Sequence, residues 1–135
     1  MSVKSRPLLV ITGPTGIGKT DLALALGSES PIRVISSDSV MVYQCLDIGS
    51  AKPTTEELVQ CPHDLIDLVP PEHPFDVSQF VTYAAKFIHS AWGNGQVPCL
   101  VGGTIMYLKS LLDGLDTLPG ADPIIREQVR LKAES

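Results

Sequence analysis

These 135 residues lack most of the signals of a membrane, secreted or metal-stapled chain. No uninterrupted apolar run approaches the roughly 20 residues needed to cross a bilayer. Leu8 to Ile11 is too short for a signal-peptide core behind the mildly basic start. Cysteine is scarce, and Cys45, Cys61 and Cys99 are odd in number and far apart. That fits neither a disulfide scaffold nor a CxxC metal site, and suits a reducing cytoplasm. Arginine is limited to Arg6, Arg33, Arg126 and Arg130, none in a lid-like cluster. Repeats, low-complexity tracts and linker-like segments are missing. Positive charge is also short: 10 basic against 15 acidic side chains leave a net charge of −5. Phosphate neutralisation usually demands a basic surface, so composition alone argues against a nucleic-acid-binding domain.

What is present is a core. Hydrophobic residues make up 44% and charged residues 19%, enough apolar material for one packed domain. Short apolar runs alternate with helical patterns. Leu8 to Thr12 reads as a buried strand and Gly13 to Gly18 as a turn. Asp21 to Leu26 reads as a helix stopped by Gly27, and Arg33 to Ser36 as a second strand. Thr54 to Glu57 has capping-box spacing and opens a short helix. Leu65 to Asp67 is a short third strand closed by Pro70 and Pro71. Asp76 to Gln79 is another capping-box start, and behind it Phe80, Tyr83, Ala84, Phe87, Ile88 and Ala91 recur at helical spacing until Gly93-Asn94-Gly95. Val97 to Val101 is a fourth strand. Ile105, Leu108, Leu111 and Leu112 share one face of a helix that Gly114 ends. Asp122-Pro123 predicts a charged helix, with an N-cap and a proline at the first helical position.

Strands apolar on both faces and separated by helices imply an α/β fold with a doubly wound parallel sheet. Ligands of such sheets sit beyond the carboxyl ends of the strands. Three of those ends carry the least core-like residues: Gly13 to Thr20, Asp38-Ser39, and Gly102-Gly103-Thr104. They are expected to converge on one site.

Gly13-Pro14-Thr15-Gly16-Ile17-Gly18-Lys19-Thr20 satisfies G-x-x-x-x-G-K-[ST], with a strand before it and a helix after it. The glycines let backbone N–H groups turn around phosphate oxygens, and the helix N-terminus adds partial positive charge. Lys19 supplies a mobile cation, and the Thr20 hydroxyl can ligate a Mg²⁺ that bridges phosphates. The pattern establishes a polyphosphate site and leaves open which polyphosphate. Parts that phosphoryl transfer normally needs are thin: Leu65-Ile66-Asp67 is a faint candidate for a magnesium-directing strand, and no Asn-Lys-x-Asp for guanine occurs. The loop therefore looks built to hold a diphosphate. Asp38, in the turn-like Ser37-Asp38-Ser39, is by residue type equally a cap or a functional carboxylate.

Four blocks in order complete the picture: GPTGIGKT, then Ile35-Ser-Ser-Asp38-Ser-Val-Met-Val-Tyr43 running on to Leu46-Asp-Ile-Gly-Ser-Ala-Lys-Pro53, then His63-Asp-Leu-Ile-Asp67, then Val101-Gly-Gly-Thr-Ile-Met-Tyr107. Together they closely resemble the tRNA dimethylallyltransferases, also called tRNA isopentenyltransferases, from about Leu8 to Arg126. Plant-type adenylate isopentenyltransferases share the loop, but the D-I-G-S-A-K-P block favours the tRNA enzymes. The resemblance implies a P-loop NTPase-like core whose partners are tRNA and dimethylallyl diphosphate. The exocyclic amine of the adenine beside the anticodon would attack the allylic carbon, and diphosphate would leave. Lys19, the Thr20-bound Mg²⁺ and the loop N–H groups would stabilise the leaving group. Asp38 would be the general base. Asp38, Ser39, Val40 and Met41 match the segment that contacts the target adenosine; Met41 stands where some relatives carry Gln, so contact there falls to backbone or packing. Thr104 would bond near the reacting oxygen or the adenine, and could also cap its helix. Arg126 matches a tRNA-contacting position, with an exposed helix arginine as the bland reading.

Other polar residues carry less. Lys52 faces either the site or solvent. His63, His73 and His89 lack metal-ligand spacing, the cysteines read as small core or loop residues, and Trp92 reads as packing. The resemblance further implies that residues 1–135 are the N-terminal portion of a longer cytoplasmic enzyme, monomeric when full length. The helical insertion that grips the anticodon arm would lie beyond Ser135, which would answer the charge conflict. With four strand candidates, an edge of the sheet is expected to stay open and the chain to be marginally stable. The rival readings are a small-molecule P-loop kinase and a phosphate-binding module without turnover.

Overall fold

The computed structural model describes residues 6–13, 19–45, 52–116 and 124–130, with the side chains of Thr20 and of residues 115–116 and 124–130 left aside. The element order is β1 (Arg6–Thr12), α1 (Lys19–Glu29), β2 (Ile32–Ser36), α2 (Thr55–Gln60), β3 (His63–Asp64), α3 (Val77–Gly93), β4 (Val97–Val101), α4 (Ile105–Asp116) and β5 (Ile124–Arg130). The strands form one parallel sheet in the order β3-β2-β4-β1-β5. This is the doubly wound α/β architecture that the alternating apolar runs imply.

The core lies on both faces of the sheet because the strands alternate between two apolar layers. Leu8, Val10, Ile35 and Leu100 point into one layer with Phe80, Ala84 and Ile88 of α3 and Leu108 and Leu111 of α4. Ile11, Val34, Cys99 and Val101 point into the other with Ala23 of α1. Phe80 stacks on Tyr107 with ring centroids 4.4 Å apart, joining α3 to α4. Both predicted capping boxes form: Thr54 with Glu57, and Asp76 with Gln79. Asn94 caps α3, and Gly95 at φ +73 turns the chain out of it.

Four expectations need correction. Gly27 does not stop α1, which continues to Glu29; its missing side chain serves packing, since a Cβ there would lie 3.3 Å from Cys61 Sγ. Gly114 likewise lies inside α4. The third strand is His63–Asp64, earlier than Leu65 to Asp67, because Leu65 and Asp67 take left-handed φ values of 67° and 55° that leave the extended region. The segment after Asp122-Pro123 is a strand at Ile124–Arg130 where a helix was expected. It pairs with β1 over its whole length, from Arg6↔Ile124 to Thr12↔Arg130. The long edge of β1 is thus paired, and β5 becomes the outer strand of the sheet in its place: the unpaired N–H and C=O groups of β1 outweigh a local helix start signal.

Candidate active site

The connection leaving β1 runs through α1 on one face, whereas α4, leaving β4, packs on the other. Adjacent parallel strands whose connections diverge open a crevice at their carboxyl ends. Gly13 follows β1 there and Gly102 follows β4, with Gly102 N–H donating to Ile11 O at 3.1 Å. All three predicted strand ends meet at this crevice.

Glycine is required at two of these points by close approach. A Cβ on Gly102 would fall 2.5 Å from Ser37 Oγ and 2.6 Å from Ser37 O, which no side chain tolerates. A Cβ on Gly103 would sit 3.2 Å from Gly13 O and 3.6 Å from Lys19 Nζ. The paired glycines therefore let the β4 end nest against both the β2 end and the phosphate loop. Hydrogen bonds finish the join: Ser37 N–H donates to Val101 O at 2.9 Å, and Thr104 N–H to Ser37 O at 3.3 Å.

Lys19 folds back from the first turn of α1 and its Nζ donates to the Gly13 carbonyl. Burial lowers its pKa, and the Asp38 carboxylate pulls in the opposite direction. Lys19 and Asp38 thus feel each other across the crevice. Asp38 Oδ1 accepts from Val40 N–H at 2.8 Å and Met41 N–H at 3.0 Å, so its carboxylate closes a turn and caps no helix. Oδ2 has no hydrogen-bond partner among the described residues, which leaves one oxygen of an anchored carboxylate available. Thr104 does not cap α4 with its side chain; its Oγ1 accepts from Ser39 N–H at 3.1 Å and ties α4 to the Asp38 turn. Ser39 and Met41 are half-buried and Val40 is 45% exposed. Val40, Ile105 (58%) and Met106 (68%) place exposed apolar side chains at the β2 and β4 ends of the crevice.

Pro14, Thr15, Gly16, Ile17 and Gly18 lie outside the described residues, as do the side chains of Thr20 and Arg126 and the Asp47-to-Ala51 stretch. Asp67, the faint magnesium-directing candidate, has its Oδ1 bound to Lys52 Nζ. Among the described residues no group of three His, Cys, Asp or Glu side chains could hold a metal. The remaining candidates fall where packing predicts. Trp92 donates its indole N–H to Pro7 O at 2.8 Å, at the amino end of β1 and away from the crevice. Cys61 and Cys99 are buried, and burial pushes the Cys99 thiol up to about 12. Of the two readings of Lys52, site-facing or solvated, the structure bears out burial. One feature escaped the sequence reading: the hydroxyls of Ser36, which ends β2, and of Ser37 after it are buried without a hydrogen-bond partner among the described residues. Nothing in a lone serine signals this.

The IPP transferase family model matches residues 41–135, about seven-tenths of the chain, and the Isopentenyl transferase model matches residues 6–66. The chain belongs to the IPP transferase family. Among curated members it is 47% identical to tRNA dimethylallyltransferase 2 of Hahella chejuensis over 95% of this chain and 39% of that one. It is 46% identical to tRNA dimethylallyltransferase of Cupriavidus necator over 95% of this chain and 40% of that one. It therefore spans about two fifths of the length of these family members. Among solved structures, the tRNA isopentenylpyrophosphate transferase of Bacillus halodurans matches with a TM-score of 0.77 and 37% identity, over 85% of this chain and 38% of that one. The Staphylococcus epidermidis family member matches with a TM-score of 0.75 and 43% identity, over 78% of this chain and 35% of that one.

Proposed function

We propose that this chain is the phosphate-loop region of a tRNA dimethylallyltransferase, which transfers a dimethylallyl group from its diphosphate to the exocyclic amine of the adenosine beside the anticodon. One observation carries the reading: an anchored carboxylate, Asp38, whose Oδ2 has no hydrogen-bond partner among the described residues, lies within electrostatic reach of the phosphate-loop cation Lys19. The curated relatives named for this activity support it. The adenine amine is a poor nucleophile because its lone pair is delocalised. As nitrogen bonds to the allylic carbon, Asp38 Oδ2 takes the amine proton, a contribution of about 10²–10⁴-fold for a placed general base. The carbon–oxygen bond breaks and its electron pair leaves on diphosphate, where Lys19 and the loop N–H groups meet the growing charge. Thr104, already holding Ser39 N–H, keeps its hydroxyl hydrogen to donate toward substrate. Ser39, Val40 and Met41 form the wall for the adenine.

Mg²⁺ belongs to this reading as a charge-neutralising partner of the diphosphate. Thr20 and phosphate oxygens would hold it; at the end of β2 the Ser36 hydroxyl is buried without a partner among the described residues and is a further oxygen donor of the kind such a cation takes. Such oxygen donors suit a hard cation. The acidic balance suits a part that binds diphosphate and one base, with Arg126 among the tRNA contacts. No helix among the described residues is long and apolar enough to cross a membrane, and the enzyme is read as a cytoplasmic monomer. The family membership favours this chemistry over a kinase. The test supplies the complete encoded protein with tRNA, dimethylallyl diphosphate, ATP and Mg²⁺. One diphosphate released per prenyl group on tRNA is expected. ADP formation without prenylation, or diphosphate binding without turnover, overturns the proposal.

A further inference from the structure

Lys52 is assigned no part in the chemistry above, yet its side chain is only 7% exposed. An ammonium so placed needs partners, and two that it finds among the described residues hold the Asp38 turn in place. Nζ donates to the Tyr43 carbonyl at 2.7 Å and to Asp67 Oδ1 at 2.5 Å. Tyr43 closes the turn, with its N–H on Val40 O at 3.1 Å and a parallel bridge to Val69. Asp67 donates its N–H to Met41 O at 2.9 Å, and Leu68 donates to Val42 O at 2.7 Å. Residues 65–69 thus run as a strap alongside residues 41–44.

The strap is strained. Leu65 and Asp67 are both non-glycine residues in the left-handed region, a conformation that persists only where surroundings enforce it. The Lys52 bridge is one such enforcement, because it fastens the Asp67 side chain to the far end of the turn. The residues so held are the ones whose N–H groups anchor Asp38 Oδ1: Met41 directly, and Val40 through its carbonyl bond to Tyr43. Without the bridge the carboxylate keeps its identity and loses its fixed direction.

We infer that Lys52 and Asp67 are a positioning pair that holds the strap against the turn and so aims the Asp38 carboxylate; this rests on the reading of Asp38 as the base. Lys52→Met and Asp67→Asn are compared with Lys86→Met, an exposed lysine of α3, in the complete encoded protein with tRNA and dimethylallyl diphosphate. Each strap variant should slow single-turnover prenylation by about 10–100-fold, the range for a misplaced reacting group. The half-saturating dimethylallyl diphosphate concentration should stay within about twofold, because the phosphate loop is untouched. Lys86→Met should match wild type. In an Asp38→Asn background Lys52→Met should add no further loss, since a positioning pair acts through the group it positions. The Met41 and Leu68 amides should exchange faster in Lys52→Met, while those of α3 keep their protection. A loss of equal size in both backgrounds, or unchanged exchange at Met41 and Leu68, overturns the positioning role. Wild-type rate in Asp38→Asn alone would instead refute the base assignment and take the positioning role with it.

Discussion

The loop leaving β1 and the turn leaving β2 face each other across one crevice, but they are held differently. On the β1 side Lys19 closes onto the carbonyl of Gly13, six residues earlier, and the helix that carries it follows at once. On the β2 side the N–H groups of Val40 and Met41 anchor Asp38 locally, but the turn they belong to is held from afar: Thr104 bonds Ser39, the 67–69 segment bonds residues 41–44, and the Tyr43 hydroxyl accepts from Phe75 N–H at 3.1 Å. The Lys19 contact joins near neighbours in sequence. The Asp38 turn adds to its local bonds a set of contacts across the fold, so the two sides should fail in different ways.

The largest effect is expected on the remote side. Asp38→Asn preserves shape and the accepting oxygen but removes basicity, so single-turnover prenylation should fall by about 10²–10⁴-fold while tRNA affinity changes little. A preserved rate with weakened binding would reduce Asp38 to the turn-closing residue it also is. On the local side, Lys19→Ala should lower the chemical rate by about 10²–10³-fold, as for other lost electrostatic stabilisers. A rate close to wild type would separate Lys19 from the leaving group.

Stability sharpens the comparison further. Gly102→Ala forces a methyl group into the Ser37 backbone, so denaturant unfolding should report a loss of about 1–3 kcal/mol or failure to fold. An undisturbed midpoint would mean that the β2 and β4 ends are not in close contact. Tyr43→Phe removes only the acceptor for Phe75 N–H and should cost about 1 kcal/mol, read in the same unfolding curves.

The smallest effect is on pH. His63 is held with its pKa lowered from 6.5, chiefly by burial, with Nδ1 on Cys61 O at 2.7 Å and Nε2 without a partner among the described residues. The unfolded chain binds the proton more readily than the folded one. Its contribution is therefore fully present above pH 6.5 and declines as pH falls from there toward the folded value. Thermal unfolding of His63→Gln should show a shallower loss over that window, and an identical slope would remove His63 from the account.

Periodicity and local chemistry determined much of this molecule. Apolar runs such as Leu8 to Thr12 and Val97 to Val101 can only be buried strands. Asp76 and Gln79 cap their own helix, and the G-x-x-x-x-G-K-[ST] pattern spans eight consecutive residues. These are interactions between near neighbours, so a linear reading finds them. Tertiary structure decided the rest. Ile124–Arg130 follows a good helix start and still becomes a strand, because the unpaired edge of β1 offers seven residues of partners that no local signal describes. Gly27 sits inside a helix at a point where a Cβ would crowd Cys61, far along the chain. Lys52 reads equally as site-facing or solvated until the fold brings a backbone carbonyl and the Asp67 carboxylate to its amine. A charge takes its role from whatever the fold buries beside it, and that is a property of distances between remote residues.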